Sequence, residues 1–157
     1  MIAPLKTIDP IIPVFTEYLA HMSRFFNLHH YDAWCAGAVK NLNAYSLAED
    51  RHAYMVQESG VVIGFALVNK HLRFNGQGLA MAEFYIQKHH ERKGYGQGLA
   101  EHVFAALPGH WEVAVTSTNK PALNFWETVV DAYTLGQFKQ EKKPGFIGFV
   151  FTNASSP

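Results

Sequence analysis

This chain is poor in cysteine, in unbalanced charge and in long apolar runs. Its 157 residues hold one cysteine, Cys35, which excludes an internal disulfide and fits a reducing compartment. Thirteen Lys and Arg are matched by thirteen Asp and Glu, whereas a protein that grips nucleic acid through its backbone carries a basic surplus. No stretch approaches the roughly 18 apolar residues of a membrane span. The opening MIAPLKTIDP has no apolar run suited to a signal peptide. Internal repeats, linkers and low-complexity tracts are missing too. These absences point to one domain over residues 1–157, cytoplasmic, with neither nucleic acid nor membrane as partner. Nine histidines include the pairs His29-His30 and His89-His90. Adjacent side chains diverge on a helix or strand, so such pairs rarely chelate one ion, and no Cys/His spacing suggests a metal.

The apolar residues that are present recur with clear periods. Asp9-Pro10 reads as a helix start with Asp as cap, and Ile11, Val14, Phe15, Tyr18, Leu19, Met22, Phe25 and Phe26 then form an apolar helical face. Ala33–Leu47 is a second, less regular helical stretch. His52–Gln57 and Val61–Val68 read as strands joined by the turn Glu58-Ser59-Gly60. A further turn at Asn75-Gly76-Gln77-Gly78 leads into a strand at Leu79–Ile86. Leu99, Val103, Phe104 and Leu107 make a helical face closed by Pro108-Gly109. Strands at Trp111–Thr116, Thr134–Gln140 and Phe146–Thr152 bracket a helix opened by Asn119 and Pro121. This order predicts an α/β fold, one mixed sheet covered by helices.

Between the strand at Leu79–Ile86 and the helix after it lies Arg92-Lys93-Gly94-Tyr95-Gly96-Gln97-Gly98, three glycines in five residues. Strand, glycine loop and helix in succession make an anion site: amides at a helix start lack helical partners, and glycine admits close approach and unusual dihedrals. A tight turn with close helix–sheet packing would use the same glycines. Nucleotide-loop patterns fail on spacing. No Lys-Ser or Lys-Thr follows, and the glycine steps miss the dinucleotide fingerprint at Leu99 or Glu101.

The stretch FYIQKHHERKGYGQGLAEHVF resembles the acetyl-CoA signature of the GNAT superfamily of N-acetyltransferases, whose loop pattern Gln/Arg-x-x-Gly-x-Gly/Ala falls on Glu91 to Gly96. NKPALNFWETVV is similar to a later motif of that superfamily, matched by Asn119, Ala122 and Phe125, with Trp126 in the usual Tyr position. AEFYI, RKGYG, GHWEV and NKPALNFW together resemble a group of short bacterial acetyltransferases. The resemblance implies a mostly antiparallel central sheet flanked by helices, and direct transfer of acetyl from acetyl-CoA to a primary amine on a small molecule or peptide; it leaves a homodimer open. It also implies that the amides of residues 92–97, thus Arg92, Lys93, Gly94, Tyr95, Gly96 and Gln97, wrap the pyrophosphate. The strand end Phe84-Tyr85-Ile86 would pair with the pantetheine arm, and Asn119, Ala122 and Phe125 would hold its other side. Glu91, a carboxylate near phosphates, and Trp126, which cannot protonate a thiolate, depart from the pattern.

Transfer needs a base and a proton donor. Glu83, a lone carboxylate in the apolar strand LAMAEFYI, is either a general base with a raised pKa or a structural carboxylate paired with Arg or His. Tyr85, on the same face of a regular strand, is a candidate donor. Tyr133 and the segment His29-His30-Tyr31-Asp32 are weaker candidates for the site. A domain that holds acyl-CoA without turnover, as a sensor or structural module, is the alternative function.

Overall fold

The computed structural model describes residues 1–25 and 29–153, apart from the Leu47 side chain. Position 26 of the first apolar helical face lies outside them. The strands form a seven-stranded mixed sheet in the order β1-β2-β3-β4-β5-β7-β6: β1 Ile2–Pro4, β2 His52–Glu58, β3 Val61–Asn69, β4 Leu79–Ile86, β5 Gly109–Thr116, β6 Lys139–Lys143 and β7 Phe146–Asn153. The helices that flank it are α1 Ile12–Met22, α2 Tyr31–Leu42, α3 Ala44–Leu47, α4 Tyr95–Ala106 and α5 Lys120–Thr134. Among the described residues no helix is long and apolar enough to cross a membrane.

The chain divides into two compact units, Met1–Leu67 with Glu83–Leu99, and Val68–Ala82 with Ala100–Pro157. In the first, α1 buries Val14, Phe15, Tyr18 and Leu19 in a core completed by Ile8, Ile11, Leu42, Ala53, Phe65 and Leu67. Asp9 does not cap α1. It begins a short 3-10 turn, Asp9–Ile11, and α1 starts after Ile11 with no side-chain cap. Pro10 and Pro13, in the first turns, need no acceptor for an N–H and preset φ, so a capping side chain is dispensable. β1 pairs antiparallel with β2, Ile2 opposite Val56 and Pro4 opposite Tyr54. The β2–β3 hairpin turns on Ser59 and Gly60, both at positive φ, 51° and 78°, as a tight two-residue loop requires.

In the second unit β5 runs antiparallel to β7 over its whole length, from Gly109 opposite Asn153 to Thr116 opposite Phe146. β4 joins β5 in parallel at Leu79 opposite Trp111 and Ala80 opposite Glu112. Phe104 is fully buried, its ring 4.9 Å from those of Trp111 and Phe151 and 5.2 Å from that of Tyr133. Glu112 is also fully buried and accepts the amides of Arg73 at 2.6 Å and of Phe74 and Asn75 at 2.9 Å. It thereby folds the segment before β4. The strand expected at Thr134–Gln140 begins instead at Lys139, because α5 continues to Thr134. Leu135 and Gly136 then close α5 in the left-handed region, and the Gly136 amide reaches Asp131 O at 3.0 Å. All five residues of β6 are exposed.

Candidate functional site

The first unit carries most of the residues singled out above. β4 ends at Ile86, and the Gln87 amide still bonds Ile63 O at 2.8 Å, keeping the strand end on β3. A 3-10 turn, Lys88–His90, follows. Glu91, Arg92, Lys93 and Gly94 are all exposed. Arg92 sits at φ 62° and Gly94 at φ 84°. For a residue with a Cβ the left-handed region costs about 1–2 kcal/mol; the glycine occupies it freely. A Cβ built on Gly94 would meet no atom within 4 Å, so space lies open beside that backbone. The first hydrogen bond of α4 runs from the Gly98 amide to Gly94 O, 3.0 Å. The amides of Tyr95, Gly96 and Gln97 therefore precede the helical ladder, at the end where the helix dipole favours an anion. Open space, exposed backbone, left-handed residues and the cations of Arg92 and Lys93 fit a phosphate group.

Glu83 lies two residues before Tyr85 on β4, and both side chains meet one partner, Tyr18 of α1. The Tyr18 hydroxyl donates to Glu83 Oε2, and its ring centroid is 5.6 Å from that of Tyr85. Burial pushes the Glu83 carboxyl above its ordinary value, and the Tyr18 hydrogen bond opposes that rise. Burial, then the charge of Glu83, holds the Tyr18 phenol well above its own. Tyr85 is half-buried against Tyr18, Phe65 and His21, the last at 6.1 Å between ring centroids. Burial raises its phenol, with Glu17 and Glu91 adding to the rise and Arg24 opposing it. Glu17 also accepts from Gln87 Nε2 at 3.1 Å. This is a carboxylate of raised proton affinity beside a phenol that also feels the charges of Glu17 and Glu91. It sets a proton acceptor next to a proton donor.

Tyr18 is legible in the sequence only as part of an apolar helical face. A buried tyrosine needs a partner for its hydroxyl, and a carboxylate in an apolar strand needs a donor; those two demands are the available signal. Ile86 is buried and packs over Gly64, where a Cβ would come within 2.6 Å of Ile86 Cδ1. Phe84 is half-buried. Tyr95 and His90, on either side of the loop, meet Glu58 at the end of β2. His29 and His30 are exposed ahead of α2. Among the described residues no cluster of His, Cys, Asp and Glu could hold a metal ion.

In the second unit Asn119 caps α5, its side chain accepting the Ala122 amide at 3.2 Å. Ala122 and Phe125 are half-buried, and Phe125 stands edge-on to Trp126 at 4.9 Å. Trp126 is buried in the core around Phe104. Tyr133 is half-buried, its phenol raised by burial and then by Glu101, with Asn153 opposing.

A family model described as "Acetyltransferase (GNAT) family" matches residues 17–130. The chain belongs to the GNAT acetyltransferase family. The matched span begins within α1, just before Tyr18, and contains Glu83, Tyr85, the loop and most of α5. No curated protein matches the chain by sequence. Among solved structures, an acetyltransferase from Thermus thermophilus is similar at 17% identity and a TM-score of 0.67, over 97% of this chain and 96% of the other. The PaiA N-acetyltransferase of Thermoplasma acidophilum, solved in complex with coenzyme A, is 13% identical with a TM-score of 0.66, over 97% and 99%. The ribosomal-protein-S18-alanine N-acetyltransferase of Escherichia coli is 16% identical with a TM-score of 0.62, over 100% and 96%. At these identities the likeness is one of fold: a GNAT acetyltransferase sheet with its helices.

Proposed function

We propose that this GNAT protein is a single-domain, cytoplasmic N-acetyltransferase that moves acetyl from acetyl-CoA directly to a primary amine. The observation that carries the reading is the loop before α4. Arg92 and Gly94 take left-handed φ there, space lies open beside Gly94, and the ladder of α4 begins only with the Gly98 amide. A chain tolerates a strained, exposed arginine when the strain preorganises a binding site. Arg92, Lys93 and the amides through Gln97 would hold the pyrophosphate of acetyl-CoA, and Glu91, which is exposed, can turn its carboxylate away. On β4, Phe84, Tyr85 and Ile86 would offer backbone groups to the pantetheine arm. In the second unit Asn119, which caps α5, Ala122 and Phe125 are the residues that match the later motif of the family.

Acetyl-CoA supplies a thioester-activated acetyl group. The acceptor must present a neutral amine, and Glu83 is the group that would take its proton, directly or through a water. Burial raises the proton affinity of Glu83, the direction that task needs. Tyr18 donates to Oε2, so Oε1 would be the oxygen that takes the proton. Tyr85, a phenol that burial pushes above its ordinary value, would return a proton to the departing thiolate. The test is release of coenzyme A thiol from acetyl-CoA across a panel of amines. Turnover with at least one primary amine supports the reading; coenzyme A binding with no turnover on any amine replaces it with a sensor or structural role.

A further inference from the structure

Glu58 ends β2, remote in sequence from the loop, yet it reaches both sides of it. Tyr95, the first residue of α4, is the largest influence holding the Glu58 carboxyl below its ordinary value. On the other side of the loop, His90 Nδ1 lies 3.0 Å from Glu58 Oε2. That nitrogen is shielded from solvent, and the approach lacks hydrogen-bond geometry. The rings of His90 and Tyr95 face each other edge-on at 6.2 Å. Between them run Glu91, Arg92, Lys93 and Gly94, which hold both left-handed residues of the loop. We propose that Glu58 is a positioning residue for the cofactor loop: one carboxylate fastens the residues on both sides of Glu91–Gly94 and keeps the loop in its anion-binding form. This rests on the loop being the acetyl-CoA site.

The carboxylate has a firm footing. Its neighbour Gln57 exchanges backbone hydrogen bonds with Met1 at 2.8 Å in both directions, and Ser59-Gly60 forms the tight turn just beyond. A loop with a non-glycine residue at positive φ relaxes unless its surroundings hold it. Holding it in advance removes an ordering cost from ligand binding. A negative charge beside a phosphate site would otherwise be a fault. Tyr95 first, then His90 and Lys93, stabilise the charged Glu58 and hold its carboxyl below the ordinary value.

The two effects have opposite signs, which makes the idea testable. If Glu58 is only background charge, removing it tightens an anionic ligand. If it positions the loop, removing it weakens that ligand. Coenzyme A is titrated calorimetrically into wild type, Glu58→Ala, Glu58→Gln, Tyr95→Phe and Gly96→Val, with the melting temperature of each apo protein measured alongside. Glu58→Ala should raise the dissociation constant about ten-fold, roughly the worth of one charge-assisted hydrogen bond. Glu58→Gln, which keeps an acceptor for Tyr95, should lose less. Tyr95→Phe combined with Glu58→Ala should be no worse than Glu58→Ala alone. With an active amine in hand, the loss should fall on KM for acetyl-CoA and leave kcat at saturation nearly unchanged. Equal or tighter binding by folded Glu58→Ala, or by Glu58→Gln if the alanine variant does not fold, overturns the inference while the cofactor site stands. A wild type that does not bind coenzyme A, or a folded Gly96→Val protein that binds it normally, removes the cofactor assignment and this inference together.

Discussion

The Tyr18 hydroxyl donates to Glu83 Oε2, joining residues 65 apart in sequence. The bond lowers a carboxyl that burial raises. Tyr18→Phe keeps the ring against Phe65 and Tyr85 but removes the donor. The Glu83 carboxyl should then titrate at higher pH. Since a base works only when deprotonated, the acidic limb of kcat/KM should move to higher pH in the same variant. A carboxyl NMR titration of Glu83 checks the first statement without an acceptor, and an unmoved titration removes the coupling.

Glu83→Gln retains an acceptor for Tyr18 and removes the base. Turnover should fall by roughly 10²–10⁴, the usual worth of a general base, and the acidic limb of the rate profile should vanish. Coenzyme A affinity should change little. Near wild-type turnover with the same profile would make Glu83 a structural carboxylate and turn the search to Tyr85, Tyr133 and His29–His30.

Gly96→Val puts a branched side chain in the first turn of α4, where the pyrophosphate is expected. Wild type should gain about 2.7 kcal/mol of stability at a hundred-fold excess of acetyl-CoA over its dissociation constant, seen as a rise in melting temperature. The variant should show no such rise. Glycine is not needed everywhere in this stretch: a Cβ on Gly98 meets nothing within 4 Å. Gly98→Ala should therefore stabilise the apo protein by up to about 1 kcal/mol, measured by urea denaturation.

Glu112→Ala should destabilise the protein by about 3 kcal/mol or more, because it strands donors from Arg73, Phe74 and Asn75 that now share one carboxylate. Hydrogen exchange at those amides should accelerate ahead of global unfolding. Unchanged exchange there would mean that another acceptor takes over.

Much of this is readable in the sequence, and the rest is not, for physical reasons. Periodicity reports which face of an element is buried, so α1, β4, α4 and β7 are legible. The glycine loop carries its own dihedral demand, met at Gly94. Periodicity does not say which distant group answers a buried polar atom. Tyr18 with Glu83, Glu112 with the amides of Arg73 to Asn75, and Glu58 with Tyr95 and His90 are therefore invisible as pairs. β1, three residues long, is too short for alternation to register. The pattern sets the start of β6 too early because the apolar Leu135 serves as the left-handed cap of α5.

The outermost strands of the sheet bear on how the protein behaves in a crowded cell. An unpaired strand edge invites other chains to add to it. At one end β1 offers only three residues, the last of them Pro4, which has no N–H to give. At the other, β6 reads Lys-Gln-Glu-Lys-Lys and is exposed throughout, so an incoming strand would have to strip water from a row of charges. Both borders thus discourage fibre-like growth on the sheet.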